Sequence, residues 1–135
     1  MNTELTLLID DDRAFNLLTD IMIKRFTHFT NTKKFEVPED ALKFIREEFA
    51  KTPVNCTIFL DINMPSMTGW EVLAEIEQLP KELQDYLTVY IVSSSIDTDD
   101  REKARQYPLV SDFLVKPITK DIITKIFPEL SKKVA

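Results

Sequence analysis

The chain has 135 residues, 44% of them hydrophobic and 30% charged, with one cysteine and a net charge of −6. That is the composition of one soluble globular domain, large enough to bury a core and too apolar to be disordered. The acidic balance argues against nucleic acid as a direct partner, the solitary Cys56 excludes a disulfide framework or a cysteine zinc site, and no apolar run approaches the ~20 residues that would span a bilayer.

No leader sequence opens the chain, so a cytoplasmic location with no membrane partner is expected. The first run, Leu5-Thr6-Leu7-Leu8-Ile9, has four apolar residues in five without alternation, which predicts a strand buried on both faces. It ends on Asp10, Asp11 and Asp12. Like charges ~4 Å apart repel by roughly 4 kcal/mol at an effective dielectric near 20. A helix cap accounts for one or two of these acids. A hard divalent metal with all-oxygen ligands accounts for the cluster. Residues 13–26 follow as a helix, with Phe15, Leu18, Ile21, Met22 and Phe26 at the spacing of one inward face. His28 stands alone in a polar segment and is assigned no chemistry. Residues 29–35 read as a strand with polar Asn31, Lys33 and Lys34, the pattern of a sheet edge. Pro38, followed by Glu39 and Asp40, opens a second helix that buries Ala41, Leu42, Ile45 and Phe49.

The run Asn55-Cys56-Thr57-Ile58-Phe59-Leu60 predicts another buried strand, with Cys56 an inert core thiol, and it ends on Asp61. A loop from Ile62 through Asn63, Met64 and Pro65 leads to Gly69, the single glycine of the chain. Thr68 and Glu71 form a capping box for a helix to about residue 79, which Pro80 breaks. Thr88–Val92 is a strand ending on Ser93, Ser94 and Ser95, after which Asp97 or Thr98 caps a short charged helix to about Tyr107. Asp112–Val115 is the last strand and ends on Lys116-Pro117. Thr119 caps a final helix bearing Ile122, Ile123 and Ile126, and Pro128 stops it, so the tail beyond about 128 is expected to be loosely held. Four apolar strands thus deliver acids, an acid, hydroxyls and an amine at the same end. Parallel α/β sheets bind ligands at the carboxyl ends of their strands. The expected fold is a doubly wound α/β domain over residues 1–135, flavodoxin-like, with a five-stranded parallel sheet in the order 2-1-3-4-5.

With these pieces placed, the chain resembles the receiver domain of two-component response regulators, of the single-domain chemotaxis type. The resemblance rests on Ile9-Asp10-Asp11-Asp12, Phe59-Leu60-Asp61-Ile62-Asn63-Met64-Pro65, Thr68-Gly69-Trp70-Glu71, Ile91-Val92-Ser93-Ser94 and Phe113-Leu114-Val115-Lys116-Pro117-Ile118, all in order. It implies that Asp61 is the phosphoacceptor, and that Asp11, Asp61 and the backbone carbonyl of Asn63 ligate Mg²⁺, with Asp10 acting through a water. It implies that Lys116 pairs first with Asp61 and then with the phosphoryl group, that Ser93 turns inward to that group, and that Phe113 holds the position of an aromatic that swings with the hydroxyl. A cis bond before Pro117 is also implied. The protein is then a phosphoacceptor and not an enzyme. Its partners are a histidine kinase or histidine phosphotransfer protein and, through a switching face at residues 94–127, a downstream protein or a second copy. The segments 35–40 and 109–112 lack small residues common in the family, which bears on partner choice more than on chemistry.

Three rivals compete with this reading. A flavodoxin needs a phosphate-cradling first loop, and three aspartates would repel that phosphate. A haloacid-dehalogenase-like phosphatase needs a second acid two residues after the nucleophile, where this chain has Asn63. A phosphorelay intermediate, or a scaffold that never carries phosphate, needs no switching output.

Overall fold

The computed structural model describes residues 4–27, 30–95 and 97–127. His28, Phe29 and the tail after Phe127, on which expectations were placed, lie outside the described residues. Five strands, β1 (Glu4–Ile9), β2 (Thr30–Phe35), β3 (Asn55–Asp61), β4 (Leu87–Ser93) and β5 (Val110–Val115), form one parallel sheet in the order β2-β1-β3-β4-β5. The helices are α1 (Arg13–Phe26), α2 (Pro38–Phe44, widening into a π-helix over Ile45–Phe49), α3 (Gly69–Ile76), the single turn α4 (Lys81–Gln84), α5 (Thr98–Ala104) and α6 (Lys120–Ile126). Both the doubly wound class and the strand order are as expected. None of the described helices is long and apolar enough to cross a membrane.

Alternation along each strand divides the core in two. Leu7, Ile9, Ile58, Leu60, Val89, Ile91 and Phe113 meet α2, α3 and α5 on one face. Leu8, Phe59 and Val92 meet α1 and α6 on the other, through Ile23, Ile118, Ile123 and Phe127. Cys56 is buried among the first set, and burial pushes its thiol up to about 12, so it carries no thiolate at neutral pH. The strand β2 is at the edge, as its lysines suggest.

Two local readings are corrected. The last strand begins at Val110 and not Asp112. Val89 pairs with Val110 and Tyr90 with Asp112, leaving Ser111 as a bulge that the apolar pattern cannot show. The inward face of α1 also differs from the expected one. Asn16, Thr19, Asp20 and Ile23 are buried, whereas Leu17, Leu18 and Ile21 are 51%, 63% and 50% exposed. Polar anchors set this rotation. Asn16 donates to the carbonyl of Asp10 at 2.9 Å, and the Asp20 carboxylate accepts from Lys34 at 2.8 Å and Lys24 at 3.3 Å. Burial alone would raise the Asp20 carboxyl, yet the two ammoniums hold it below its ordinary value. Phe15, Met22 and Phe26 keep partial burial against the α6 side of the core.

Candidate functional site

The carboxyl ends of β1, β3, β4 and β5 lie in neighbouring positions of the sheet, so the residues that leave them share one edge. Asp10 follows β1 directly and donates its backbone N–H to the carbonyl of Phe35 at 3.0 Å, so the ladder with β2 runs on past the strand. The three consecutive acids then divide the work. The Asp10 carboxylate is buried, Asp11 is exposed, and Asp12 caps α1 by accepting from the N–H of Phe15 at 3.1 Å. The N–H of Asp12 donates to Asp10 Oδ1 at 2.9 Å, which fixes that carboxylate from its own turn. Asn16 holds the same turn from the helix through the carbonyl of Asp10. The sequence reading passed over Asn16, whose signal is a polar residue one turn into α1 on the side of the acids.

Asp61 closes β3 and is 5% exposed, with Oδ1 accepting from the N–H of Asn63 at 3.3 Å. Carboxylate oxygens of Asp10, Asp11 and Asp61 all lie within 4.8 Å of one another. Burial, and then the charge on Asp10, push the Asp61 carboxyl up to about 7, against the opposing pull of Lys116 and the Asn63 N–H. On the far side, the Lys116 backbone N–H donates to the carbonyl of Ser93 at 2.8 Å, tying the exit of β5 to that of β4. The Lys116–Pro117 peptide is cis. The Lys116 ammonium sits 2.7 Å from Asp10 Oδ2 and 4.4 Å from the centroid of the Phe15 ring. The ammonium's ion-pair partner is therefore Asp10 and not the expected Asp61, although both carboxylates are buried.

Ser93 is fully buried, and its Oγ accepts from the N–H of Ser95 at 3.3 Å. Phe113 is buried on the α5 side, with the Arg101 guanidinium 5.3 Å from its ring centroid. Trp70 stacks on Tyr107 at 5.6 Å and carries the Lys103 ammonium at 4.9 Å.

The donor set suits a hard divalent cation. It consists of oxygens alone, they converge, and Asp10 Oδ2 is buried with no aligned hydrogen-bond donor despite its ion pair with Lys116. Asp10, Asp11 and Asp61 are brought together as expected, while Asp12 serves the helix.

Gly69 sets the separation between α3 and this edge. A Cβ there would lie 2.6 Å from the carbonyl oxygen of Asp61 and 2.8 Å from Cα of Ile62, both rigid backbone atoms. Its N–H also donates to the carbonyl of Ile62 at 3.1 Å. Gly69→Ala is expected to destabilise the fold by about 1–3 kcal/mol, as overpacking does. Because the strain falls on Asp61 itself, any stabilisation by an added divalent cation in a thermal melt should shrink along with Tm. A variant that melts like the parent protein would show that the loop yields freely.

The profile of the response regulator receiver domain matches residues 6–127. No curated protein matches. Among solved structures, a two-component response regulator from Cytophaga hutchinsonii is 26% identical at a TM-score of 0.84, with 98% of this chain and 99% of that one covered. The Mn(2+)-bound form of the response regulator Rcp1 is 28% identical at a TM-score of 0.71, covering 90% of this chain and 88% of that one. The chemotaxis protein CheY4 of Vibrio cholerae shares the fold at a TM-score of 0.74 and 17% identity, covering 95% and 98%.

Proposed function

The chain belongs to the response regulator receiver domain family of two-component signalling, and on that premise we propose that Asp61 is its phosphoacceptor. The observation that carries this reading is the placement of the Asp61 carboxylate at the end of β3, among the oxygens of Asp10 and Asp11, with the Lys116 ammonium beside them. An Asp61 oxygen attacks the phosphorus of a phosphohistidine on a kinase or phosphotransfer protein. The phosphorus–nitrogen bond breaks, its electron pair returns to the imidazole, and an acyl phosphate remains. Lys116 exchanges Asp10 for a phosphoryl oxygen, and the Ser93 hydroxyl donates to another. Asp11, Asp61 and the carbonyl of Asn63, with Asp10 through a water, would hold Mg²⁺, whose charge when bound offsets the repulsion between these acids and an incoming phosphoryl group. The Mn(2+)-bound relative supports a divalent ion here. The protein accepts one phosphoryl group and assists its later hydrolysis, and it turns over no separate substrate.

The donor has to bring its histidine to the edge where Asp61 lies. Directly after the acids, α1 turns Leu17, Leu18 and Ile21 to solvent, an apolar surface suited to a helix of that donor. The phosphoryl group carries about −1.5 to −2 charges and takes the place of the single charge of the Asp61 carboxylate. Ser93 and Lys116 respond by moving, and they lead into residues 94–127, the face on which a downstream protein or a second copy would read the state. Phe113 lies within that face, and its charges, from Asp99 to Arg105, are of both signs.

With Mg²⁺ and excess acetyl phosphate or phosphoramidate, the intact mass should rise by one phosphoryl group. An unchanged mass overturns the reading. Amide NMR with a beryllofluoride mimic should shift resonances across 94–127. Shifts confined to residues around the acids would favour the alternative, a phosphorelay intermediate or scaffold with no switching output.

A further inference from the structure

Lys116 carries a long, mobile side chain, yet it is only 18% exposed and is held by two contacts of different kinds. One is the charge of Asp10. The other is the face of the Phe15 ring, at 4.4 Å the shortest cation–ring approach among the described residues. The ring is not free to choose its place. Its backbone N–H donates to the Asp12 carboxylate, and the Asp12 N–H donates to Asp10, so two hydrogen bonds tie Phe15 to the acidic turn. The side chain packs, partly buried, against the core beneath α1 and α6. We propose that Phe15 is a positioning residue for Lys116, keeping the ammonium beside the acids once Asp10 is engaged elsewhere. The inference rests on the phosphoacceptor reading above.

The reasoning concerns the exchange that reading requires. A divalent ion among the carboxylates takes up the charge of Asp10 and repels the ammonium, so the ion pair at 2.7 Å weakens at the moment a phosphoryl group must be met. An ammonium released to water would have to be recaptured. The ring quadrupole attracts it without carrying a net charge that metal binding could cancel. A further carboxylate at this position would hold the lysine too strongly and would repel the phosphoryl group. A leucine would pack equally well but offer no attraction.

Three proteins test this, namely the parent, Phe15→Leu and Phe15→Tyr, each measured without Mg²⁺ and then saturated with it. In the parent, the Lys116 ε-methylene protons should be shifted upfield by the ring, before and after Mg²⁺. In Phe15→Leu that shift should vanish, and the rate of phosphorylation by acetyl phosphate should fall roughly fivefold, the scale of one partly desolvated cation–ring contact. Mg²⁺ affinity should stay within about twofold of the parent, because Phe15 offers the metal no ligand. Phe15→Tyr should restore both the shift and the rate. An unshifted Lys116 methylene in the parent overturns the inference without any variant, and so does a Phe15→Leu rate equal to the parent's. Equal slowing in the Leu and Tyr variants would mean that Phe15 acts by packing alone, which also overturns it. A parent protein that takes no phosphate sinks the phosphoacceptor reading instead, and the methylene shift still judges the contact.

Discussion

Asp61→Asn is expected to take up no phosphate from any donor while keeping the fold. The substitution preserves shape and removes the carboxylate nucleophile, and neither Asp10 nor Asp12 is free to take over. The Asp12 carboxylate is committed to the start of α1 and that of Asp10 is buried against Lys116. Lys116→Met should behave differently, retaining the acceptor and slowing transfer by about 100-fold, the usual cost of losing one fixed donor to a developing charge. Intact mass against time separates the two outcomes. Phosphate on the Asn variant would move the acceptor elsewhere, and a Met variant as fast as the parent would leave Lys116 with a structural role only.

The second large effect is on stability. The Asp61 carboxyl stands at about 7 in the fold, against 3.8 ordinarily. Between those values the folded protein keeps a proton that the unfolded chain releases, so the unfolded state binds fewer protons and stability falls as pH rises. The loss is complete above about pH 7 and bounded at about 4 kcal/mol for a shift of this size. Metal-free protein should therefore melt lower at pH 8 than at pH 5, and Asp61→Asn should flatten the slope and melt higher at pH 8. Adding Mg²⁺ at pH 8 should restore the parent by about 3 kcal/mol at a hundredfold excess over its Kd, and Asp11→Asn should lose most of that gain. A pH slope unchanged by Asp61→Asn would place the buried proton on another group. An undiminished Mg²⁺ response in Asp11→Asn would remove Asp11 from the ligands.

Legibility from sequence followed how local the cause was. The runs Leu5–Ile9, Asn55–Leu60 and Thr88–Val92 declare buried parallel strands because their apolar residues crowd together without the alternation of a half-exposed strand and in runs too short for a helix. The polar residues that end them, with the Lys116 that ends Asp112–Val115, have to emerge at one edge of the sheet, which is why Asp10, Asp11, Asp61 and Lys116 stand out as a site in the sequence. The Thr68–Glu71 box is as local, and both of its hydrogen bonds form. What the sequence did not determine depends on competition between distant groups. The rotation of α1 was misread because apolar spacing counts only hydrophobic gain, whereas the buried carbonyl of Asp10 and the ammonium of Lys34 draw Asn16 and Asp20 inward and leave Leu17, Leu18 and Ile21 outside. The bulge at Ser111 arises from the register with β4, a partner that no window along the chain contains. The choice of Asp10 over Asp61 as the partner of Lys116, and the Phe15 ring beside it, was likewise decided by tertiary structure. Both depend on which carboxylate and which ring the packed layers bring within reach of the ammonium, a property of the tertiary structure and not of the residue order.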